Sequence, residues 1–415
     1  MVSMQKTATL LFFFILSLSG FSQTRYLDSL FGFSHHRDIL YGSNYDNKNQ
    51  LTQLLMDVYE PAEDTAQLRP VIFFVHGGSF VGGSRTDQSI DKTAEYFSQK
   101  GYVTANIEYR VEQTNIITPF LNFGDVYNWY RAIGRVTQDI KAAIRYIKKD
   151  VATNNNQYRV DTTKIFLYGS SAGAIGALHA VYLDDTVEMA ALFKAAYKDL
   201  GGLDGNSVNP GYSMKGIKAV VSCSGALENV NYINNNTDIA YLAFHNNPDL
   251  TVPFDMGCFV TVACHLGYFY GANRIYPKAR SLGMNAEFYP INKLGHPVDA
   301  VADETTHAFI LQKTTDFLYR ILNPGVVSSV HSNGMKQLEL YPNPSTGIFS
   351  IQIPTDIQYK SVTLEVMNTE GQLVYASESK NKEKVELNLQ LPDGLYVLSM
   401  KTDTRSYLSK INILH

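Results

Sequence analysis

The chain has 415 residues, 45% of them hydrophobic and 18% charged, which is enough for a full-size α/β domain with its own core and a smaller second module. A formal net charge of −4 argues against a nucleic-acid partner, whose usual footprint is a basic excess. Three cysteines with no C-x-x-C pair do not make a disulfide scaffold, and they give no reason to expect structural zinc or any other metal.

Residues 1–22 read as a signal peptide: Lys6, the apolar run Leu10 to Leu18, then Gly20-Phe21-Ser22 before Gln23. That run is too short to span a bilayer, and no later run reaches the roughly 20 apolar residues a transmembrane helix needs. The mature chain is therefore expected to be exported, with no stable membrane span. In an oxidising setting Cys258 and Cys264 can close a small loop and leave Cys223 as a buried thiol, but the residues alone leave the pairing open.

Asp38 to Tyr41 and Leu54 to Tyr59 read as strands of an antiparallel edge, parted by the turn-rich Gly42 to Asn49. Val71 to Val75 is an unbroken apolar run, the pattern of a strand buried on both faces, and it ends in His76-Gly77-Gly78-Ser79-Phe80. Tyr102 to Ile107 is the next buried strand, followed by Glu108-Tyr109-Arg110. Val111 to Gly134 has no clean period; it holds Phe120, Phe123, Tyr127, Trp129 and Tyr130 and reads as an insertion whose aromatics pack the insertion itself. Val136, Ile140, Ala143, Ile144, Ile147 and Val151 then fall at helical spacing. Strand alternating with helix implies a mostly parallel, doubly wound sheet.

Lys164 to Leu167 is a short strand running into Gly169-Ser170-Ser171-Ala172-Gly173 and then a helix. This is the context of a nucleophile elbow, in which a strained turn stands the central hydroxyl, Ser171, clear of the backbone. Glycines in the His76-Gly77-Gly78 loop allow a close approach of substrate to backbone, so that the amides of Gly77, Gly78 and Ala172 can hold an oxyanion, with the His76 side chain in a structural role. Asp184 to Lys215 reads as a second irregular insertion. Gly216 to Ser222, Ile239 to Phe244 and Ala286 to Pro290 read as further strands, and Val301 to Leu322 as a closing helix.

A serine hydroxyl needs a base within hydrogen-bond reach and an acid to orient that base. Asp249 follows one strand and His296 the next, so Ser171, Asp249 and His296 stand in the order Ser, Asp, His at successive strand ends, with Asp255 and Asp238 as fallback acids. Asn323 to Gly334 reads as linker sequence. From about Leu338 the pattern changes to short alternating strands, such as Val362 to Val366 and Val385 to Leu391, with turns at Glu370-Gly371 and Pro392-Asp393-Gly394, as in a small β-sandwich. The expected organisation is a signal peptide at 1–22, a catalytic domain at 23–322, a linker at 323–337 and a β-domain at 338–415.

Residues 36 to 322 resemble the α/β-hydrolase esterase and lipase families, in the branch with an HGG oxyanion motif. The matching pieces are His76-Gly77-Gly78-Ser79-Phe80, Tyr109-Arg110, Gly169 to Gly173, His245…Asp249…Val252-Pro253 and Gly295-His296. Ser79 stands where many relatives have a third glycine, and Asn246-Asn247 replaces the commoner Gly-Thr. The C-terminal segment is similar to the sorting domain read by the type IX secretion system, by Tyr341-Pro342-Asn343-Pro344, Gly394-Leu395-Tyr396 and the final Lys410 to Leu414. These resemblances imply an α/β-hydrolase fold followed by an all-β sandwich, in a secreted or cell-surface serine carboxylic-ester hydrolase. The expected substrates are short-chain, acetyl or hydroxycinnamoyl esters, small or polymer-linked, with no cofactor and with the secretion machinery as partner. The rivals are a prolyl-oligopeptidase-type peptidase, which normally carries a large N-terminal propeller, and an inactive hydrolase-fold binding protein.

Overall fold

The computed structural model describes residues 24–113, 125–187, 189–205, 209–324, 338–353, 361–368, 373–380, 384–402 and 406–415. The expected signal peptide, most of the linker, Phe120, Phe123 and the Glu370-Gly371 turn lie outside the described residues. The chain divides into two compact units, Met1–Val327 and Ser328–His415.

In the first unit, β1 (Phe33–Tyr45) and β2 (Leu51–Pro61) form the antiparallel edge. They are followed by β3 (Arg69–Val75), α1 (Gln88–Ser98), β4 (Val103–Ile107), α2 (Val126–Thr153), β5 (Val160–Ser170), α3 (Ala172–Tyr182), α4 (Ala191–Asp199) and β6 (Ile217–Cys223). The short strands β7 (Ala226–Leu227), β9 (Met256–Gly257) and β10 (Phe269–Gly271) make a small separate sheet. Between and after them come β8 (Ala240–Asn246), α5 (Ala272–Ser281), β11 (Ala286–Ile291) and α6 (Glu304–Leu322). The main sheet has eight strands in the order β1-β2-β4-β3-β5-β6-β8-β11, parallel from β4 onward.

The apolar run of β3 follows from this placement. Successive side chains of a strand point to opposite faces, and both faces are covered here. Val71, Phe73 and Val75 join a cluster with α2 and α3, while Ile72 and Phe74 join another with α1 and α6. The sheet is thus doubly wound, as the alternation of elements implies.

Two readings of the sequence are corrected. The stretch Val111 to Gly134 is not an insertion throughout, because α2 begins at Val126, ten residues before the helical period becomes visible. Asp125 caps it by accepting a 2.9 Å bond from the Asn128 amide. Its first turns do not show the period because Trp129, Tyr130, Ala132, Ile133 and Gly134 make a nearly continuous buried run interrupted by Arg131, while Asn128 stays exposed. Likewise Asp184 to Lys215 contains α4, whose Phe193, Ala196 and Tyr197 pack inward. Helix α1, which the sequence reading did not register, also covers the sheet with Ile90, Ala94 and Phe97.

The second unit holds a three-stranded sheet, β12 (Glu339–Tyr341), β13 (Ile348–Gln352) and β16 (Lys384–Asn388), and a four-stranded sheet of β14 (Val362–Met367), β15 (Leu373–Ser379), β17 (Gly394–Thr402) and β18 (Ser406–Ile413). Phe349, Ile351 and Leu387 from one sheet meet Leu364, Leu398 and Ile411 from the other in a single core, which makes the unit a β-sandwich.

The segment after β4 is tied to α2 by a buried ion pair. Arg110 donates from Nη2 to Asp139 Oδ1 at 2.7 Å and from Nε to Oδ2 at 2.9 Å, and its own amide donates to Oδ2 at 2.9 Å. Removing one partner strands the other charge in the interior. Asp139→Ala is therefore expected to lower unfolding free energy by about 3–5 kcal/mol, read as a reduced urea midpoint.

Candidate active site

The site lies at the carboxyl ends of the parallel strands, where open α/β sheets place their ligands. At the end of β5 the backbone turns sharply: Ser171 has φ 51° and ψ −117°, a conformation that costs a non-glycine residue free energy. Its amide donates to the Cys223 carbonyl at 2.8 Å, pinning the turn to the neighbouring strand. Gly173 allows α3 to start directly beneath the end of β3, since a Cβ there would come well inside 3.0 Å of the Val75 and His76 carbonyl oxygens.

Ser171, His296 and Asp249 are brought together in one hydrogen-bonded chain. Ser171 Oγ lies 2.6 Å from His296 Nε2, and His296 Nδ1 lies 2.8 Å from Asp249 Oδ2. Nδ1 donates to the carboxylate, which leaves Nε2 free to take the serine proton. The other carboxylate oxygen accepts from the amides of Thr251 (2.8 Å) and Val252 (3.0 Å), and His245 Nε2 stands 3.4 Å from Oδ2. Burial alone would raise the Asp249 carboxyl, yet its bonds from His245 and His296 hold it well below the usual carboxylate range. It is therefore ionised wherever the chain is folded near neutral pH.

The loop carrying His296 is held on both sides of the ring. Asn246 Nδ2 donates to the Gly295 carbonyl at 2.9 Å, and the Val298 amide donates to Ser224 Oγ at 3.1 Å. Asn246, one of the departures from the commoner Gly-Thr, thus holds the His296 loop. The fallback acids are elsewhere: Asp255 pairs with Arg274 at 2.7 Å, and Asp238 is exposed at the amino end of β8.

The loop after β3 folds back on itself at Gly78, whose φ of 115° and lack of a side chain let the Gly82 carbonyl close on it. Ser79 and Phe80 also have positive φ, 54° and 64°, so the loop is strained at two non-glycine positions. Gly77 packs on the elbow, where a Cβ would lie 3.2 Å from that of Ser171. His76 is fully buried; its Nδ1 donates to the Gly77 carbonyl at 2.7 Å and its ring stacks on Tyr109 at 4.1 Å. The Tyr109 hydroxyl donates to the His76 carbonyl at 3.0 Å. These contacts suit a side chain that shapes the loop. Gly77 and Ala172 therefore border Ser171, with Gly78 next in the loop, from the two segments expected to supply oxyanion donors.

Sequence reasoning missed Asp299, three residues after His296 and fully buried under the elbow. It accepts from Ser170 Oγ at 2.7 Å and from the Tyr168 hydroxyl at 3.2 Å, and Tyr168 in turn accepts from the Cys223 thiol at 3.1 Å. A lone Asp in a loop carries no signal that distinguishes it from a turn residue. It also missed Phe259, which reaches the cleft through the Cys258–Cys264 disulfide loop; Cys223 is the buried free thiol. Among the described residues no group of three or more His, Cys, Asp or Glu side chains is arranged to hold a metal ion, and no helix is long and apolar enough to cross a membrane.

Burial raises the Asp299 carboxyl, and its hydrogen bonds do not cancel that effect. Above the ordinary aspartate value of about 3.9, the folded chain keeps a proton that the unfolded chain has lost, so this group's contribution to stability falls as pH rises toward its raised value. Asp299→Asn cannot ionise and is expected to flatten that part of the slope, measured by urea unfolding at steps between about pH 4 and about pH 7.

Residues 56–246 match the family model described as BD-FAE, and residues 339–414 match that of the secretion system C-terminal sorting domain. The first match includes Gly77, Gly78, Ser171 and Ala172; Asp249 lies just beyond it and His296 well beyond it. Among curated proteins the chain is similar to carboxylesterase 3B of Mus musculus, with 31% identity over 123 residues, 29% of this chain and 19% of that protein. It is also similar to gut esterase 1 of Caenorhabditis elegans, with 26% identity over 141 residues, 34% of this chain and 22% of that protein. The chain therefore spans about a fifth of the length of the curated relatives it matches. Solved structures that align with it include the propionate-bound esterase Est2 of Thermogutta terrifontis, with TM-score 0.44, 18% identity, 69% of this chain and 94% of that one. Another is a bifunctional GH43-CE protein of Bacteroides eggerthii, with TM-score 0.45, 18% identity, 69% of this chain and 35% of that one. With the HGG loop and the serine elbow both inside the matched segment, the chain joins a BD-FAE esterase-type domain of the α/β-hydrolase fold to a C-terminal sorting domain of the secretion-system family.

Proposed function

We propose that the protein is a secreted or cell-surface serine carboxylic-ester hydrolase. Its substrates are short-chain, acetyl or hydroxycinnamoyl esters, free or attached to a polymer. The observation that carries this reading is the unbroken chain from Ser171 Oγ through the His296 ring to Asp249, with bonds of 2.6 and 2.8 Å. The similarity to carboxylesterase 3B and gut esterase 1 supports an ester as the substrate class.

In this reading Ser171 Oγ attacks the ester carbonyl as His296 Nε2 takes its proton. Negative charge moves to the carbonyl oxygen, where the amides of Gly77, Gly78 and Ala172 stabilise it. Collapse breaks the bond to the alcohol, which leaves with the proton from Nε2 and an acyl group on Ser171. A water then repeats the sequence, giving up one proton to His296 and releasing the acid. Asp249, kept ionised, holds the ring and balances the positive charge that appears on it twice per turnover. This chemistry requires no cofactor.

The match to the sorting-domain family supports export, with residues 1–22 as the signal peptide and the type IX machinery as the partner of the C-terminal unit. A chain ending at Asn323 is expected to keep its esterase activity in vitro and to stop in the periplasm, checked by fractionating cells and assaying each fraction. Loss of activity in the soluble, purified truncation would count against a separable address.

Ser171→Ala is expected to lower kcat on the order of 10⁶-fold while leaving the thermal midpoint close to that of the parent, because alanine fits the elbow. Asp249→Asn is expected to lower kcat roughly 10³- to 10⁴-fold with a smaller change in KM, since an amide favours the wrong tautomer of His296. An organophosphonate should label Ser171 alone, read by peptide mass. Ester turnover that survives Ser171→Ala would exclude the serine mechanism, and failure of every ester alongside intact labelling would favour a peptidase or a binding protein.

A further inference from the structure

The cleft at Ser171 has two sides, and the chemistry distinguishes them. The alcohol half of an ester departs with the proton carried by His296 Nε2, so it must lie on the His296 side. The acyl half stays on Ser171 Oγ and extends past the oxyanion loop to the other side. A cavity there is walled by Phe80, Trp129, Ile175, Val252 and Phe259 around Ser171, and His296 is not one of its walls. Its volume is about 10 Å³, room for roughly one water-sized group and far below the roughly 300–1,000 Å³ of pockets that enclose drug-sized ligands.

The walls cannot easily retreat. Phe80, Trp129 and Phe259 are at most 1% exposed. Their rings interlock edge to face, with centroids 5.0 Å apart for Phe80 and Trp129 and 4.7 Å for Trp129 and Phe259, and Phe269 backs Phe259 at 4.8 Å. Enlarging such a site means moving packed rings, which the density of a protein interior resists. Phe259 is further fixed by its loop. The next residue, Val260, donates its amide to the Thr251 carbonyl at 2.8 Å, and Thr251 belongs to the turn that binds Asp249. The Cys258–Cys264 disulfide, six residues apart in sequence, closes the loop around Phe259.

We infer that Phe259, held over the nucleophile by the Cys258–Cys264 loop, closes the acyl side of the cleft and restricts the enzyme to acetyl esters. This rests on the serine-esterase reading and narrows it: a methyl group fits beside Ser171, whereas a butyryl chain or a rigid hydroxycinnamoyl group meets buried rings.

The test uses the full chain and p-nitrophenyl esters, which share one leaving group and differ only in the acyl group. kcat/KM for acetate is expected to exceed that for butyrate by about 100-fold or more, and that for hexanoate by a larger factor still, since misfit of each methylene costs about tenfold or more, and the ferulate ester should likewise be turned over far more slowly than acetate. Phe259→Leu is expected to raise the butyrate-to-acetate ratio about tenfold. The paired Cys258→Ser and Cys264→Ser variant, which keeps the ring but frees its loop, should move the ratio in the same direction and serves if Phe259→Leu does not fold. Hexanoate or ferulate cleaved by the parent as fast as acetate would overturn the inference, as would an unchanged ratio in the folded variants. Either result with Ser171 still labelled by organophosphonate would leave the esterase reading standing; no turnover of any ester and no labelling would remove both.

Discussion

Everything at the site depends on how closely two backbones approach. Gly173 lies against the carbonyls of Val75 and His76 with no room for a side chain, and this contact sets the distance between the elbow after β5 and the loop after β3. At that distance Gly77 packs directly on Ser171, where a Cβ would lie 3.2 Å from the serine Cβ. The strain follows from the same constraint. Ser171, Ser79 and Phe80 all take positive φ, each at a cost of about 1–3 kcal/mol, and the surrounding structure must over-determine them. It does so through ordinary contacts: the Ser171 amide on Cys223, the Tyr109 hydroxyl on the His76 carbonyl, and the stacked His76 ring.

Two buried aspartates near the elbow illustrate how the same side chain acquires opposite properties. Asp249 receives two backbone amides and two histidines, and those bonds outweigh its burial. Asp299 receives two hydroxyls in a fully enclosed site, and burial wins. The first is therefore a permanent negative charge behind His296. The second is a carboxyl protonated more readily than usual, and it joins the His296 loop to Ser170 and Tyr168. A carboxyl without strong donors is poorly stabilised as an anion in a low-dielectric interior, so this division of roles needs no special device.

The aromatic cluster beside Ser171 links core packing to chemistry. Trp129 belongs to the first turns of α2 and Phe259 to a disulfide loop more than a hundred residues later, yet the two rings meet beside Ser171. Of the other aromatics in the stretch before α2's visible period, Tyr130 packs on Phe193 and the Tyr127 hydroxyl binds Asp199, so both stabilise the helices around them. Among the described aromatics of that stretch, Trp129 alone both packs and lines the cleft.

Much of this was legible in the chain itself. Val71 to Val75 and Lys164 to Gly173 carry local patterns, an apolar run and a glycine-flanked serine, whose physical meaning survives without any contact information. From them the doubly wound sheet, the elbow and the glycine loop follow, and the change of pattern near Leu338 marks the β-sandwich. Asp249 and His296 were nameable as candidates because each follows a strand, but their separation from Ser171 is a tertiary fact. The sequence is silent where a residue's role comes from distant neighbours. The start of α2 was hidden because the nearly continuous buried run from Trp129 to Gly134 blurs the period, and α4 because its helical pattern is short. Asp299 and Phe259 became visible only once the fold enclosed one under the elbow and aimed the other at the cleft. Local steric rules act between residues a few positions apart and can be read from the chain; burial, carboxyl ionisation and the size of a cleft depend on what packs around a group, and only the tertiary structure decides them.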